Sequence, residues 1–151
     1  MDAHLPVLGW REWASLPELR IRRIKAKVDT GARTSSLHAS EIQFFQSPDD
    51  GVSMVRFLAH PSQKDPTKTL LLECPLADRR SVRSSSGKAS IRPVIRTTLL
   101  LGDQAQIIDL TLYERPKMEF RMLIGREAMQ KRFVVDPNQS YVRGRPVTFT
   151  S

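Results

Sequence analysis

Cysteine is almost absent from this sequence. Cys74 stands alone among 151 residues, which excludes an internal disulfide and gives no reason to expect an oxidising compartment. Histidine is scarce too. His4, His38 and His60 form no short-spaced pair with each other or with Cys74, and no His-Glu-x-x-His run occurs, so the usual ligand pattern of a zinc site is missing. No apolar stretch approaches the length of a membrane span. Met1 to Pro6 lacks the basic start and apolar run of a signal peptide, so a cytoplasmic location with no membrane partner is the expectation. Internal repeats and low-complexity segments are absent as well.

The residues that are present describe an ordinary globular chain. Hydrophobic residues make up 40% and charged residues 26%, enough for one domain over 1–151 and too few residues for two comfortable ones. The formal net charge is +8. A surplus of that size favours acidic partners, whether nucleic acid, an anionic membrane or an acidic peptide, and does not choose among them.

The most informative stretch runs from Lys25 to Ala39 and centres on Asp29-Thr30-Gly31-Ala32. Ile24, Ala26 and Val28 alternate with Lys25 and Lys27, the period of a half-buried strand. That strand delivers Asp29 to a turn, where Gly31 permits a tight backbone and close approach by another chain. A carboxylate fixed at a strand end can be positioned to act on a water. Asp and Gly are also common turn residues, so the triplet alone is a weak signal.

The remaining chain reads as short strands separated by turns. Val7 to Trp13 is a first strand with aromatic cover, in which Trp10 and Trp13 are expected to pack, and Leu16 to Leu19 is a turn or short helical piece. Ile21 to Val28, Ser35 to Phe45, Met54 to Leu58 and Thr69 to Leu76 follow as strands, with a turn at Ser47 to Gly51 and a polar loop at His60 to Thr67. Asp78 to Pro93 is polar and basic around Ser84-Ser85-Ser86-Gly87, which suits a hairpin tip. Val94 to Leu101 and Ala105 to Tyr113 make the clearest hairpin. Met122 to Ile124 is an apolar strand that breaks at Gly125 into a short helix reaching Lys131, and Phe133 to Asp136 with Ser140 to Arg143 make a last hairpin. The expected class is an all-β barrel or sandwich.

Taken in order, Lys27-Val-Asp-Thr-Gly-Ala-Arg-Thr-Ser-Ser-Leu-His-Ala39, Val82-Arg-Ser-Ser-Ser-Gly87, Met122-Leu-Ile-Gly-Arg126 and Val135-Asp-Pro137 resemble the retropepsin-like aspartic proteases. The closer resemblance is to the bacterial family labelled RimK-associated or ATP-dependent zinc proteases. It runs from about Gly9 to about Gly144 and implies a closed acid-protease β-barrel with one short helix near the C-terminus.

The resemblance also implies a chemistry. Two carboxyls share one proton around a water, because like charges so close do not both ionise. One Asp-Thr-Gly per chain then requires a homodimer. Asp29, Thr30 and Gly31 would form the catalytic triplet, with Thr30 bonding across the interface, and Gly31 and Ala32 would permit close approach. Ala32, Arg33 and the hairpin residues Arg83, Ser84, Ser85, Ser86, Gly87 and Lys88 would bind the peptide. In viral members the Arg after the apolar-Gly step pairs with an Asp shortly after the triplet. Arg126 is present, but Arg33 to Leu37 contains no such Asp, so its contact is expected to differ.

The zinc of the family label finds no ligand set among these residues, and His38 is expected to be structural or site-lining. No Gly-x-x-x-x-Gly-Lys loop occurs, so any ATP dependence resides in a partner. No cofactor is expected. Arg79, Arg80, Arg83, Lys88, Arg92 and Arg96 crowd the hairpin and suit an acidic or glutamate-rich peptide tail, the product of the RimK-type ATP-grasp ligase with which the family is associated. Three readings stand: a dimeric aspartic endopeptidase, a catalytically weak peptide-binding regulator of such a ligase, and a nucleic-acid-binding barrel. The last is disfavoured because regularly placed exposed aromatics are not evident.

Overall fold

The computed structural model describes residues 4–62, 64–65, 67–83, 86–115 and 119–145. Eleven strands follow one another: β1 (Val7–Leu8), β2 (Arg11–Leu16), β3 (Ile21–Val28), β4 (Ser35–Gln46), β5 (Ser53–Ala59), β6 (Leu70–Pro75), β7 (Asp78–Arg83), β8 (Ala89–Leu101), β9 (Gln104–Tyr113), β10 (Met122–Ile124) and β11 (Val134–Val135). Helical structure among the described residues is confined to the 3₁₀ turns Pro17–Leu19 and Arg126–Ala128.

Strands pair in the order β10-β3-β2-β8-β9-β4, and β10 also pairs with β4, which closes a six-stranded barrel. Closure spares these six strands an open edge, while β6 and β7, outside the barrel, each pair on one side only among the described residues. The two longest strands each serve twice. The first part of β4 pairs with β9 and β10 inside the barrel, and from Ala39 onward it pairs with β5, which carries β6. Likewise β8 pairs with β7 from Ala89 to Val94 and with β9 from Val94 to Leu101.

Alternation explains the core. Ile24, Ala26 and Val28 of β3, Leu37 and Ala39 of β4, Ile95, Leu99 and Leu101 of β8, and Leu110 and Leu112 of β9 are all buried. Each fully buried Leu or Ile contributes about 1.5–3 kcal/mol, and the period of two turns the intervening lysines and arginines outward.

Three sequence expectations are corrected. The first strand is interrupted: β1 ends at Leu8 and β2 begins at Arg11. The break sits at Gly9, where a β-carbon would stand 2.3 Å from the Gln139 carbonyl oxygen. The helix expected to reach Lys131 is a 3₁₀ turn ending at Ala128, and Lys131 takes a left-handed φ of 65° that no helix continues through.

The last hairpin does not form either. β11 pairs in parallel with β1, Val7 opposite Val134, and residues 140–143 are turn and irregular backbone. The reason lies in Glu12, a fully buried carboxylate on β2. It accepts the N–H groups of Gly9 at 2.6 Å, Val142 at 2.9 Å and Arg143 at 3.0 Å, and Arg11 accepts the Tyr141 N–H through its carbonyl at 2.8 Å. Donors that a hairpin would use are taken by β2.

Candidate active site

The candidate site grows from the relation between β3, β4 and β10. Consecutive strands β3 and β4 do not pair with each other; β10 lies between them, parallel to β3 and antiparallel to β4. The connecting loop, residues 29–34, therefore crosses the end of β10. There the Asp29 N–H donates to the Ile124 carbonyl at 2.9 Å, extending the β3–β10 ladder by one residue.

Gly125 makes the crossing possible. A β-carbon at this position would lie 2.5 Å from both the carbonyl carbon and oxygen of Thr34, so no other residue fits without displacing backbone. Its N–H donates to Ser35 Oγ at 3.1 Å. Next, Arg126 and Glu127 donate their N–H groups to the carbonyls of Ala32 at 2.8 Å and Arg33 at 3.0 Å. The loop is thus stitched along its length to the 3₁₀ turn.

Within the loop, Asp29 is half-buried and Thr30 and Gly31 are exposed. Gly31 N–H donates to Asp29 Oδ1 at 3.0 Å, and a β-carbon on Gly31 would sit 3.3 Å from that oxygen. The Arg126 guanidinium donates to the carbonyls of Thr30 and Gly31, both at 3.1 Å. Arg33 pairs with Glu127 at 2.8 Å on an exposed surface, where such a pair adds little stability. The missing loop Asp is thus replaced by main-chain carbonyls as the seat of the arginine.

Asp29, Thr30, Gly31, Ala32 and Arg33 therefore share one braced loop. The hairpin residues belong elsewhere, on β7 and β8. Of Arg83 the backbone is placed, opposite Ala89; Ser86, Gly87 and Lys88 are exposed, Gly87 with a φ of +83°. Ser84 and Ser85 lie outside the described residues. Further down, the hairpin's cations are engaged: Arg80 with Asp78 and Asp109, Arg96 with Asp109, Arg79 over the Phe44 ring and Arg92 over the Tyr113 ring.

Two site residues escaped sequence reasoning, Ser35 and Glu127. Ser35 lies within the Lys27 to Ala39 motif but was given no role there, and Glu127 had only its place beside Arg126 as a signal.

The histidines do not suit a zinc ion. His38 and His60 stack with ring centroids 4.8 Å apart. The Arg115 N–H donates to His38 Nδ1 at 2.9 Å and Ser40 Oγ lies 2.6 Å from His60 Nε2, so one nitrogen of each ring is engaged. No group of three or more His, Cys, Asp or Glu able to hold a metal occurs among the described residues. Burial lowers both histidine pKa values, with His60 and Arg121 adding to the effect at His38 and Arg121 at His60.

With this geometry in place, the comparisons with known proteins are decisive for the family. A model described as RimB-like, retropepsin-like aspartic endopeptidase RimB, matches residues 7–146. The chain belongs to the RimB-like family. A solved structure similar to this RimB-like fold, the Legionella pneumophila protein Lpg0085 of unknown function, superposes with a TM-score of 0.73 at 26% identity and covers 91% of this chain and 98% of that one. Among curated relatives, a probable alpha-L-glutamate ligase of Desulfotalea psychrophila is 47% identical over 136 residues, and one of Parasynechococcus marenigrum is 46% identical over 138. The matches cover 90% and 91% of this chain but 29% of each relative. This RimB-like chain therefore spans under a third of the length of the ligases it matches. No helix among the described residues is long and apolar enough to cross a membrane.

Proposed function

We propose that the protein is an aspartic peptidase, a single domain that works as a cytoplasmic homodimer with Asp29 of each copy holding one water. The supporting observation is the placement of Asp29 at the end of β3, in a loop fixed to β10 and gripped through its carbonyls by Arg126. Such bracing holds a carboxylate in one geometry before substrate arrives. In the reaction, one carboxylate takes a proton from the water as its oxygen attacks the scissile carbonyl. The other carboxyl gives its proton to the departing amide nitrogen as the C–N bond breaks.

The proposed substrate is an acidic or glutamate-rich peptide tail, and the proposed partner is a RimK-type ATP-grasp ligase that makes such tails. Relatives named as glutamate ligases contain a stretch similar to this chain within a much longer polypeptide, which favours one biological setting for the two activities. The same observation supports a second reading, in which the protein regulates the ligase by binding its peptide with little hydrolysis.

Incubating the purified protein with a glutamate-tailed peptide, and reading the products by mass spectrometry, separates the two. The peptidase reading expects new termini with the native chain and none with Asp29→Asn. Intact peptide with both chains, bound equally by each, supports the regulator.

A further inference from the structure

The outward face of β2 and β3 carries a second concentration of chemistry, at a distance from Asp29. Register places Trp13 opposite Lys25 and Arg11 opposite Lys27. The Arg23 guanidinium and the Lys25 ammonium lie 5.5 and 5.4 Å from the centre of the Trp13 ring, and Tyr141 stacks on the same ring at 5.5 Å with an interplanar angle of 29°. Tyr141 is brought there by the capture of residues 139–143 on β2 described above. Lys25 precedes Asp29 by four residues, about 13 Å along an extended strand.

An open cavity of about 380 Å³ adjoins this face, lined by Trp13, Arg23, Lys25, Lys64, Lys68 and Arg145, together with Pro61 and Ser62. Five cations from three separate segments meet there, and no carboxylate is among the described lining residues. The acid nearest in sequence, Asp65, accepts the Thr67 N–H at 3.0 Å and also attracts Lys68. One carboxylate near Lys68 leaves the five cations in excess, and a bound polyanion relieves their mutual repulsion. The hairpin, by contrast, has Arg80 and Arg96 paired with Asp109.

We propose that this groove binds a single-stranded nucleic acid, with the five cations on its phosphodiester backbone and the lining Trp13 ring, backed by Tyr141, which is itself covered by Arg11, as the wall against which a base packs. Arginine and lysine together suit phosphates, and aromatics set among cations suit unpaired bases, every one of which has a flat face to present. An acidic peptide would use the charges and leave the aromatic wall without a role. The sequence disfavoured nucleic acid for lack of regularly spaced aromatics; folding assembles them from residues 13 and 141 instead. This site is independent of the peptidase reading.

The test is fluorescence anisotropy of a labelled oligouridylate, with oligothymidylate, a duplex and a polyglutamate peptide as competitors. Contact by all five cations gives a slope of log K against log salt of about −3.5, at about −0.7 per phosphate. The double variant Lys64→Glu/Lys68→Glu weakens binding by at least about tenfold and flattens that slope, while Asp29→Asn binds as the native chain does. Tighter binding of oligouridylate than of oligothymidylate supports the proposal with RNA as the ligand, and equal binding supports it for either strand. Stronger competition by polyglutamate or by duplex overturns the proposal, as does binding that ignores salt or the double variant. Circular dichroism of the variant, matching the native chain, secures the comparison.

Discussion

Gly125 and Thr34 approach so closely that a β-carbon at position 125 would stand 2.5 Å from the Thr34 carbonyl. This contact lets the Asp29 loop cross the end of β10, so residue 125 governs the site although it carries no side chain. Gly125→Ala is expected to cost about 1–3 kcal/mol through overpacking, read by urea denaturation. The same variant loses peptide cleavage even under conditions where it remains folded. Native stability and cleavage in the alanine variant would contradict this account of the loop.

Glu12 is the only described carboxylate with no solvent exposure at all, and it satisfies three backbone N–H groups. Glu12→Ala leaves these donors unpaired in the interior. The expected loss is about 3–5 kcal/mol, measured by chemical denaturation, with Tyr141 released from Trp13 and a change in tryptophan fluorescence. A loss within about 0.5 kcal/mol, the range of an ordinary surface change, would show that residues 139–143 are held by other means.

The stacked pair His38 and His60 makes stability depend on pH. Both folded-state pKa values lie below the unfolded value of 6.5, chiefly because burial disfavours the charged rings. Arg121 adds repulsion, while Glu114 acts the other way at both rings and Glu41 at His60. The unfolded chain therefore binds more protons than the folded one just below pH 6.5, so the stabilisation is complete above that pH and is lost as pH falls toward the folded-state values. Melting temperature is expected to drop from pH 7 to pH 5, and His60→Asn to flatten the curve. An unchanged slope in that variant would assign the pH dependence to other groups.

Cys74 has its thiol pushed up to about 11, by burial first and by Glu18 second. Thiolate is the reactive form, so a disulfide reagent at pH 8 is expected to label the folded protein far more slowly than the urea-unfolded one. Equal rates would place this thiol in solvent.

Local periodicity made much of the barrel legible. The strand around Ile24 alternates, the apolar runs around Val55, Leu72 and Leu110 are bounded by turn residues, and the Asp-Thr-Gly and Leu-Ile-Gly-Arg segments pointed to the acid-protease fold through residues that occupy one braced loop and its support. What stayed hidden depends on distant partners. Neither the capture of Val142 and Arg143 by Glu12 nor the parallel pairing of Val7 with Val134 leaves a local pattern. The engagement of Arg80 and Arg96 by Asp109 was hidden for the same reason. So was the meeting of Trp13 with Tyr141, since residues so far apart in sequence meet only through folding.

The central claim is that two Asp29 carboxylates, one from each copy, make a single catalytic unit. Mixing native chains with Asp29→Asn chains, allowing subunits to exchange, and measuring cleavage of a glutamate-tailed peptide against the native fraction tests it directly. Random exchange into a two-fold dimer with a shared site predicts activity that falls as the square of the native fraction. A linear fall would mean that each chain acts alone and would contradict the shared-carboxylate account.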